Sequence, residues 1–264
     1  MLKRYLLGVL TIVLFVVLAV GLSSTSSEGN VEAASKKTEI LVSAAVSLQD
    51  SLDKIAAQYE KLHPDIDLIF NYGASGTLQK QIEQGAPADL FFSAGDIQMS
   101  ELVDAHLITA HEVLLKNQLV IVVPSDSKVK LSTMAQLTDS SFKRVAIGQP
   151  ESVPAGQYAQ QSLTAVKVWG PLQSKLVYAK DVRQVMSYVE TGNVDAGFVY
   201  KTDALHSNKV RIAHTVSAHV HRAIQYPAGI VKGSRHQSES KAFYYFLQSK
   251  EASKVFTSNG FLLP

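Results

Sequence analysis

The chain has 264 residues, 46% hydrophobic and 18% charged, with 15 Gly and 8 Pro. That balance excludes disordered and fibrous classes and allows one large core or two lobes of ordinary size. A formal net charge of +2 without a Lys/Arg cluster excludes a nucleic-acid footprint, and the absence of cysteine excludes disulfides, thiolate metal sites and cysteine nucleophiles.

At the start, Lys3 and Arg4 precede an apolar run from Tyr5 to Leu22, and the polar stretch Ser23 to Asn30 follows. A basic flank, a terminal position and a Ser-rich sequel predict an export segment rather than a buried helix. Residues 1–35 are therefore read as signal or anchor plus linker, which puts the protein outside the cytoplasm. Val31-Glu32-Ala33 offers small residues for cleavage before Ala34, while the run is also long enough to remain as an anchor. Leu18-Ala19-Val20-Gly21 resembles a lipobox, but Leu22 follows where Cys would be needed, so lipid attachment through that motif is excluded.

Thr38 to Ser43 is predicted as a strand, after which Ser47 opens an amphipathic helix carrying Leu48, Leu52, Ile55, Ala56, Tyr59 and Leu62 at helical spacing. Ser47 with Asp50 reads as a capping arrangement, and His63-Pro64 stops the helix. The next unit repeats the logic: Asp67 to Tyr72 as strand, Gly73-Ala74-Ser75-Gly76 as turn, Thr77 to Glu83 as helix and Gly85 as its end. Ala88 to Ala94 is a third strand. Gln118 to Pro124 is apolar enough for a buried parallel strand that carries the chain into a second lobe. There follow a strand at 144–148, a helix at 155–166, a short strand at Val177, a helix at 182–190 and a strand at 196–200. Tyr226 to Val231 is the return crossing, and helices at 239–248 and 251–258 end the chain.

Alternating strands and helices predict an α/β architecture of mostly parallel sheets flanked by helices. The expected lobes are 38–120 with 228–264, and 121–227, with a ligand cleft between them. In such sheets ligands bind beyond the carboxyl ends of the strands. Four helix starts lie there, near Ser47, Ser75, Ala155 and Val182. Each exposes unpaired N–H groups with about half a positive charge, so several converging starts can hold a dianion without Lys or Arg. Taken singly, each Ser is as well explained as a helix cap.

These loops also carry a resemblance that runs from about Glu39 to the C-terminus. Ala44-Ala45-Val46-Ser47-Leu48, Gly73-Ala74-Ser75-Gly76-Thr77-Leu78, Gly85-Ala86-Pro87-Ala88-Asp89-Leu90-Phe91, Val153-Pro154-Ala155-Gly156, Asp181-Val182-Arg183 and Gly197-Phe198-Val199-Tyr200 stand in order. With them the chain resembles the molybdate-binding proteins of ABC transporters, which have a two-lobed periplasmic-binding-protein-like fold. The resemblance implies that Ser47 and Ser75 bind oxyanion oxygens by hydroxyl and amide, Ala155 and Val182 by backbone amide, and Tyr200 by its phenol. It also implies a molybdate or tungstate ligand, no cofactor, no metal held as a cation, no enzymatic step, and a membrane permease that takes the ligand from a monomeric binding protein. Asp181 and Arg183 are read as a helix cap and a nearby charge outside the ligand set, and Gly85 to Asp89 as a structural loop.

A donor-only set of groups suits an anion that is fully deprotonated at neutral pH, whereas phosphate keeps a proton and benefits from an acceptor such as Asp. Sulfate or phosphate remain the alternatives within the binding class. An exported serine hydrolase is disfavoured because Gly73-Ala74-Ser75-Gly76 lacks the second spaced glycine of a nucleophile elbow and no His is tied to an acidic partner. A metal site at His214, His219 and His221, the last two on one face of a strand, lacks a carboxylate to complete it.

Overall fold

The computed structural model describes residues 37–264, so the expected signal or anchor segment, its cleavage site and the lipobox position lie outside the described residues. Strand β1 (Thr38–Ala45) leads through a single 3₁₀ turn (Val46–Leu48) into helix α1 (Gln49–Leu62), which buries Leu52, Ile55, Ala56 and Tyr59. Then come β2 (Ile66–Gly73), α2 (Ser75–Glu83), β3 (Leu90–Phe92), α3 (Asp96–Asp104) and β4 (Ile108–Lys116). After Asn117–Gln118 the chain forms β5 (Leu119–Pro124), β6 (Val145–Gly148), α4 (Pro154–Ala165), a short α5 (Trp169–Leu172) and β7 (Leu176–Ala179). Helix α6 (Val182–Glu190), β8 (Ala196–Tyr200), α7 (Lys201–Leu205) and β9 (Val210–Thr215) follow, and then β10 (Gln225–Val231), α8 (Gln237–Phe246) and α9 (Lys250–Ser258).

Two five-stranded sheets result, with orders β2-β1-β3-β10-β4 and β7-β6-β8-β5-β9. Both are mixed rather than uniformly parallel. In the first, β1 pairs in parallel with β2 and β3, while β10 runs antiparallel to β3 and β4. In the second, β6 is parallel to β7 and β8, while β5 is antiparallel to β8 and β9. Strand β5 is thus buried as its apolar run requires, but its expected parallel pairing is corrected: a strand entering a sheet directly from another lobe, with no crossover helix, pairs antiparallel.

The chain changes sheet at Asn117–Gln118 and again between Thr215 and Gln225. Leu119 therefore pairs with Tyr200 in the second sheet and Tyr226 with Leu115 in the first, a few residues from the lobe limits expected at 120 and 227. One hydrophobic core runs through both sheets, including Leu115, Leu119 and Tyr226 at the crossings. A satellite cluster of Leu78, Ile82, Phe91, Met99 and Leu102 packs α2 and α3 onto the first sheet.

The Gly85 to Asp89 loop is structural in this arrangement. Gly85 has φ +85°, which favours glycine, and the buried Asp89 carboxylate accepts from Leu41 N–H (2.7 Å) and from Ser234 Oγ–H (2.5 Å). Its side chain ties β1 to the turn after β10. The expected strand around His219 and His221 does not form: β9 ends at Thr215, and both histidines lie in the loop before β10. Among the described residues there is no group of His, Cys, Asp and Glu that could hold a metal ion.

Candidate functional site

Parallel strands of both sheets end at one small cavity. Beyond β1 and β2 lie Ser47 and Ser75; beyond β6 and β7 lie Ala155 and Val182, and Tyr200 is the last residue of β8; all five line it, and all are buried. It offers about 10 Å³ to the centre of a water-sized sphere, room for one small group rather than an organic ligand. No charged side chain is among its lining residues.

The two serines are not helix caps. Ser47 sits inside the 3₁₀ turn, whose N-cap position is Ala45, and Ser75 is the first residue of α2, whose N-cap is Ala74; neither helix start has a side-chain cap. The capping reading of Ser47 with Asp50 is therefore corrected. Their hydroxyls are instead held from behind. Asn117 Oδ1 accepts from Gln118 N–H (2.8 Å), so its Nδ2 donates, both to Thr202 Oγ1 (3.0 Å) and to the Tyr226 hydroxyl (3.3 Å). Tyr226 in turn lies 3.1 Å from Ser47 Oγ. Either hydroxyl of that pair can be the donor, and where Tyr226 donates the Ser47 proton is left for the cavity. Ser75 Oγ accepts from Ala94 N–H (2.9 Å), which frees its proton in the same way.

On the other side the donors are backbone amides. Val182 opens α6 and Ala155 follows Pro154 at the start of α4, positions whose N–H groups have no intrahelical acceptor. Pro154 gives up only an amide that would be unpaired anyway, and its fixed φ suits the first helical position. Gly156 seats this helix start on β6, since a Cβ there would lie 1.9 Å from the Gly148 carbonyl oxygen. Asp181 caps α6 by accepting from Gln184 N–H (2.8 Å), which leaves the Val182 amide unclaimed by that cap.

Tyr200 is the member of the set whose proton has a protein acceptor, the Ala94 carbonyl at 3.1 Å. Burial pushes the phenols of both Tyr200 and Tyr226 well above their ordinary range, so each stays a neutral hydroxyl. Asn117, Tyr226 and Ala94 are the functional neighbours that the sequence did not reveal. Tyr226 is visible there only as the start of a crossing strand.

The cleft is closed over the cavity by contacts between the two sets of loops. Gly76 N–H donates to Ser152 O (2.9 Å), and a Cβ at Gly76 would meet that oxygen at 2.7 Å, so only glycine allows this approach. Arg222 reaches Asp96 at 3.0 Å. Arg183 Nη2 reaches Asp50 Oδ2 at 2.5 Å, and its Nε lies 3.5 Å from Asp203 Oδ1. Asp203 is buried, and desolvation raises its pKa from 3.8 to about 7, against the opposing pull of Arg183.

The chain matches the model of the family described as bacterial extracellular solute-binding protein over residues 40–262. It is 48% identical over 263 residues to the Bacillus subtilis protein named "Putative ABC transporter substrate-binding lipoprotein YvgL", covering 99% of each chain. It is 37% identical to the molybdate-binding protein ModA of Haemophilus influenzae, over 84% of this chain and 89% of that one. The solved structure of the Azotobacter vinelandii periplasmic molybdate-binding protein superimposes with a TM-score of 0.77 at 22% identity, covering 85% of this chain and 99% of that one, which shows the shared fold. The chain belongs to the bacterial extracellular solute-binding proteins and, within them, is a ModA-type substrate-binding protein of an ABC transporter.

Proposed function

We propose that this protein captures molybdate or tungstate outside the cytoplasm and delivers it, as a monomer, to the membrane permease of an ABC importer. The observation that carries the reading is the convergence on one small cavity of two serine hydroxyls and of helix-start amides, with no charged side chain in the lining. Such a set can give several hydrogen bonds to one anion and presents no carboxylate to it, which suits a dianion that keeps no proton at neutral pH. The Ser47 and Ser75 hydroxyls with their amides, the Ala155 and Val182 amides and the Tyr200 phenol are its proposed ligands. Tyr200 would turn its proton from the Ala94 carbonyl to the anion. Preference for molybdate and tungstate over sulfate rests on the relatives, since all three are tetrahedral dianions and the donor set suits each.

Binding would involve hinge closure of one lobe on the other, and exclusion of water strengthens each hydrogen bond to the dianion. No bond is made or broken. Thermal unfolding of the purified chain with molybdate, tungstate, sulfate and phosphate tests the assignment. The first two should raise the melting temperature strongly and the last two little. An equal shift with sulfate would move the assignment to another oxyanion, and no shift with any would end it.

A further inference from the structure

Three charged residues stand just after cavity-lining positions. Asp50 follows Ser47 by one helical turn, Arg183 follows Val182 directly, and Asp203 follows Tyr200 by one turn. They meet at one guanidinium. Arg183 Nε faces Asp203 Oδ1 of its own sheet's loops at 3.5 Å, and Nη2 crosses the cleft to Asp50 Oδ2 at 2.5 Å. The Asp203 side chain is 1% exposed, whereas Arg183 and Asp50 are about one-third exposed, at 33% and 39%.

The buried Asp203 has a second role on its own side, where its Oδ2 accepts from Tyr200 N–H (3.3 Å), and neither its Oδ1 nor Arg183 Nε has a hydrogen-bond partner. Arg183 is the cation that faces this buried carboxyl group, and the two lie within one set of loops. Arg183 thus faces Asp203 on its own side at Nε and spans to Asp50 on the opposite loops at Nη2. The other ion pair across the cleft, Arg222 with Asp96, has an arginine 59% exposed and no buried carboxylate behind it, so it resists opening less.

We propose that Arg183 is a positioning residue for closure: anchored by Asp203 on one lobe and reaching Asp50 on the other, it holds the lobes together around the bound oxyanion and sets how slowly the ligand leaves. The inference rests on the oxyanion-binding reading given above. It makes closure depend on three side chains that touch no ligand, yet each is within three residues of a group proposed to do so. The pair forms after encounter, so its loss acts on release more than on capture.

The test measures association and release of labelled molybdate by the purified full chain and its variants. Asp50→Asn changes a partly exposed group on the first turn of α1 and should leave ligand-free unfolding unchanged. It should speed release by about five- to thirtyfold while association stays within about twofold. Arg183→Lys should restore part of the retention that Arg183→Gln loses, because an ammonium can reach one carboxylate but not fork between two. In the Arg183→Gln background, Asp50→Asn should add nothing further, a non-additivity that a merely structural arginine would not give. Should Arg183→Gln fail to fold, Asp50→Asn and Arg183→Lys decide alone. A wild-type chain that binds while Asp50→Asn releases at the wild-type rate overturns the inference and leaves the function standing. A wild-type chain that binds no oxyanion overturns both.

Discussion

The two sides of the cavity are built on the same sheet plan and offer different chemistry. In β2-β1-β3 and β7-β6-β8 the first, central strand of each set is flanked in parallel by the next two, and the strand from the crossing is added antiparallel. Yet the β1 and β2 loops bring side-chain hydroxyls, Ser47 and Ser75, while the β6 and β7 loops bring only amides, those of Ala155 and Val182. A hydroxyl is held in aim by its neighbours, here Tyr226 and the Ala94 amide; an amide is held in aim by the helix it starts. The first side can be silenced by changing a serine, whereas the Ala155 and Val182 amides of the second yield only to a disturbed backbone, Tyr200 being the one side chain the second sheet adds.

The largest expected effects are on the hydroxyl side. Ser47→Asp or Ser75→Asp sets a carboxylate against a dianion. At about 4 Å and an effective dielectric near 20 the repulsion is roughly 8 kcal/mol, so binding should fall by at least about a thousandfold. Ser→Ala at either position should cost about 10- to 100-fold in affinity, the worth of one hydrogen bond to a charged group. Since neither serine caps a helix, the alanine variants should lose none of the roughly 1 kcal/mol a cap would contribute. Calorimetric titration and ligand-free melting, measured together, check this; full affinity in either alanine variant would remove that serine from the site.

Next is the seam between the sides. Gly76→Ala places a Cβ within 2.7 Å of Ser152 O, a backbone atom of the opposite loops. Closure should be blocked short of contact, weakening binding by about tenfold or more, while ligand-free melting, if the open form tolerates the methyl, stays near wild type. Unchanged affinity would show that the close approach is not part of the bound state.

A pH effect distinguishes the buried anchor from its exposed partner. Burial raises the Asp203 pKa in the folded chain from 3.8 to about 7. Folding therefore favours the protonated acid, so its contribution is complete below about pH 4 and is lost as pH rises through about 7. From this group alone, stability should fall by on the order of 4 kcal/mol between those limits. Asp203→Asn, which keeps an acceptor for Arg183, should flatten that slope in chemical unfolding followed from pH 4 to 8. An unaltered slope would mean that Asp203 titrates elsewhere.

The smallest effect belongs to the amide side. Val182→Ala removes buried methyls and should cost stability by about 1 kcal/mol, yet leave affinity within about threefold because the N–H remains. A large loss of affinity without a loss of fold would show that the side chain itself shapes the cavity.

The same contrast explains what was legible in the sequence. Helices α1, α4 and α6 and strands β2, β6 and β8 declare themselves by apolar spacing and by stops such as His63-Pro64. Strand β4 does not, because Thr109 to Glu112 lie exposed on a sheet edge and show no alternation, and α3 beside it buries only Gln98, Met99 and Leu102. The direction of β5 is not legible in the sequence because a run buried on both faces looks alike in either pairing. At the site, Ser47 and Ser75 offer side-chain chemistry, whereas Ala155 and Val182 show in the sequence only as helix starts with free amides, and the resemblance alone implies which amide binds. Asn117 and Tyr226 act through contacts 109 residues apart, which no local pattern records.

The central claim is that a cavity lined by hydroxyls and helix-start amides, with no charged side chain, binds a fully deprotonated tetrahedral dianion, with the preference for molybdate or tungstate drawn from the relatives. Titration calorimetry of the purified wild-type chain with molybdate, tungstate, sulfate and phosphate in one buffer at neutral pH tests it most directly. The account predicts one molybdate or tungstate bound per chain, far more tightly than sulfate, with phosphate weakest; equal affinity for sulfate, tighter binding of phosphate, or no heat with any of the four would contradict it.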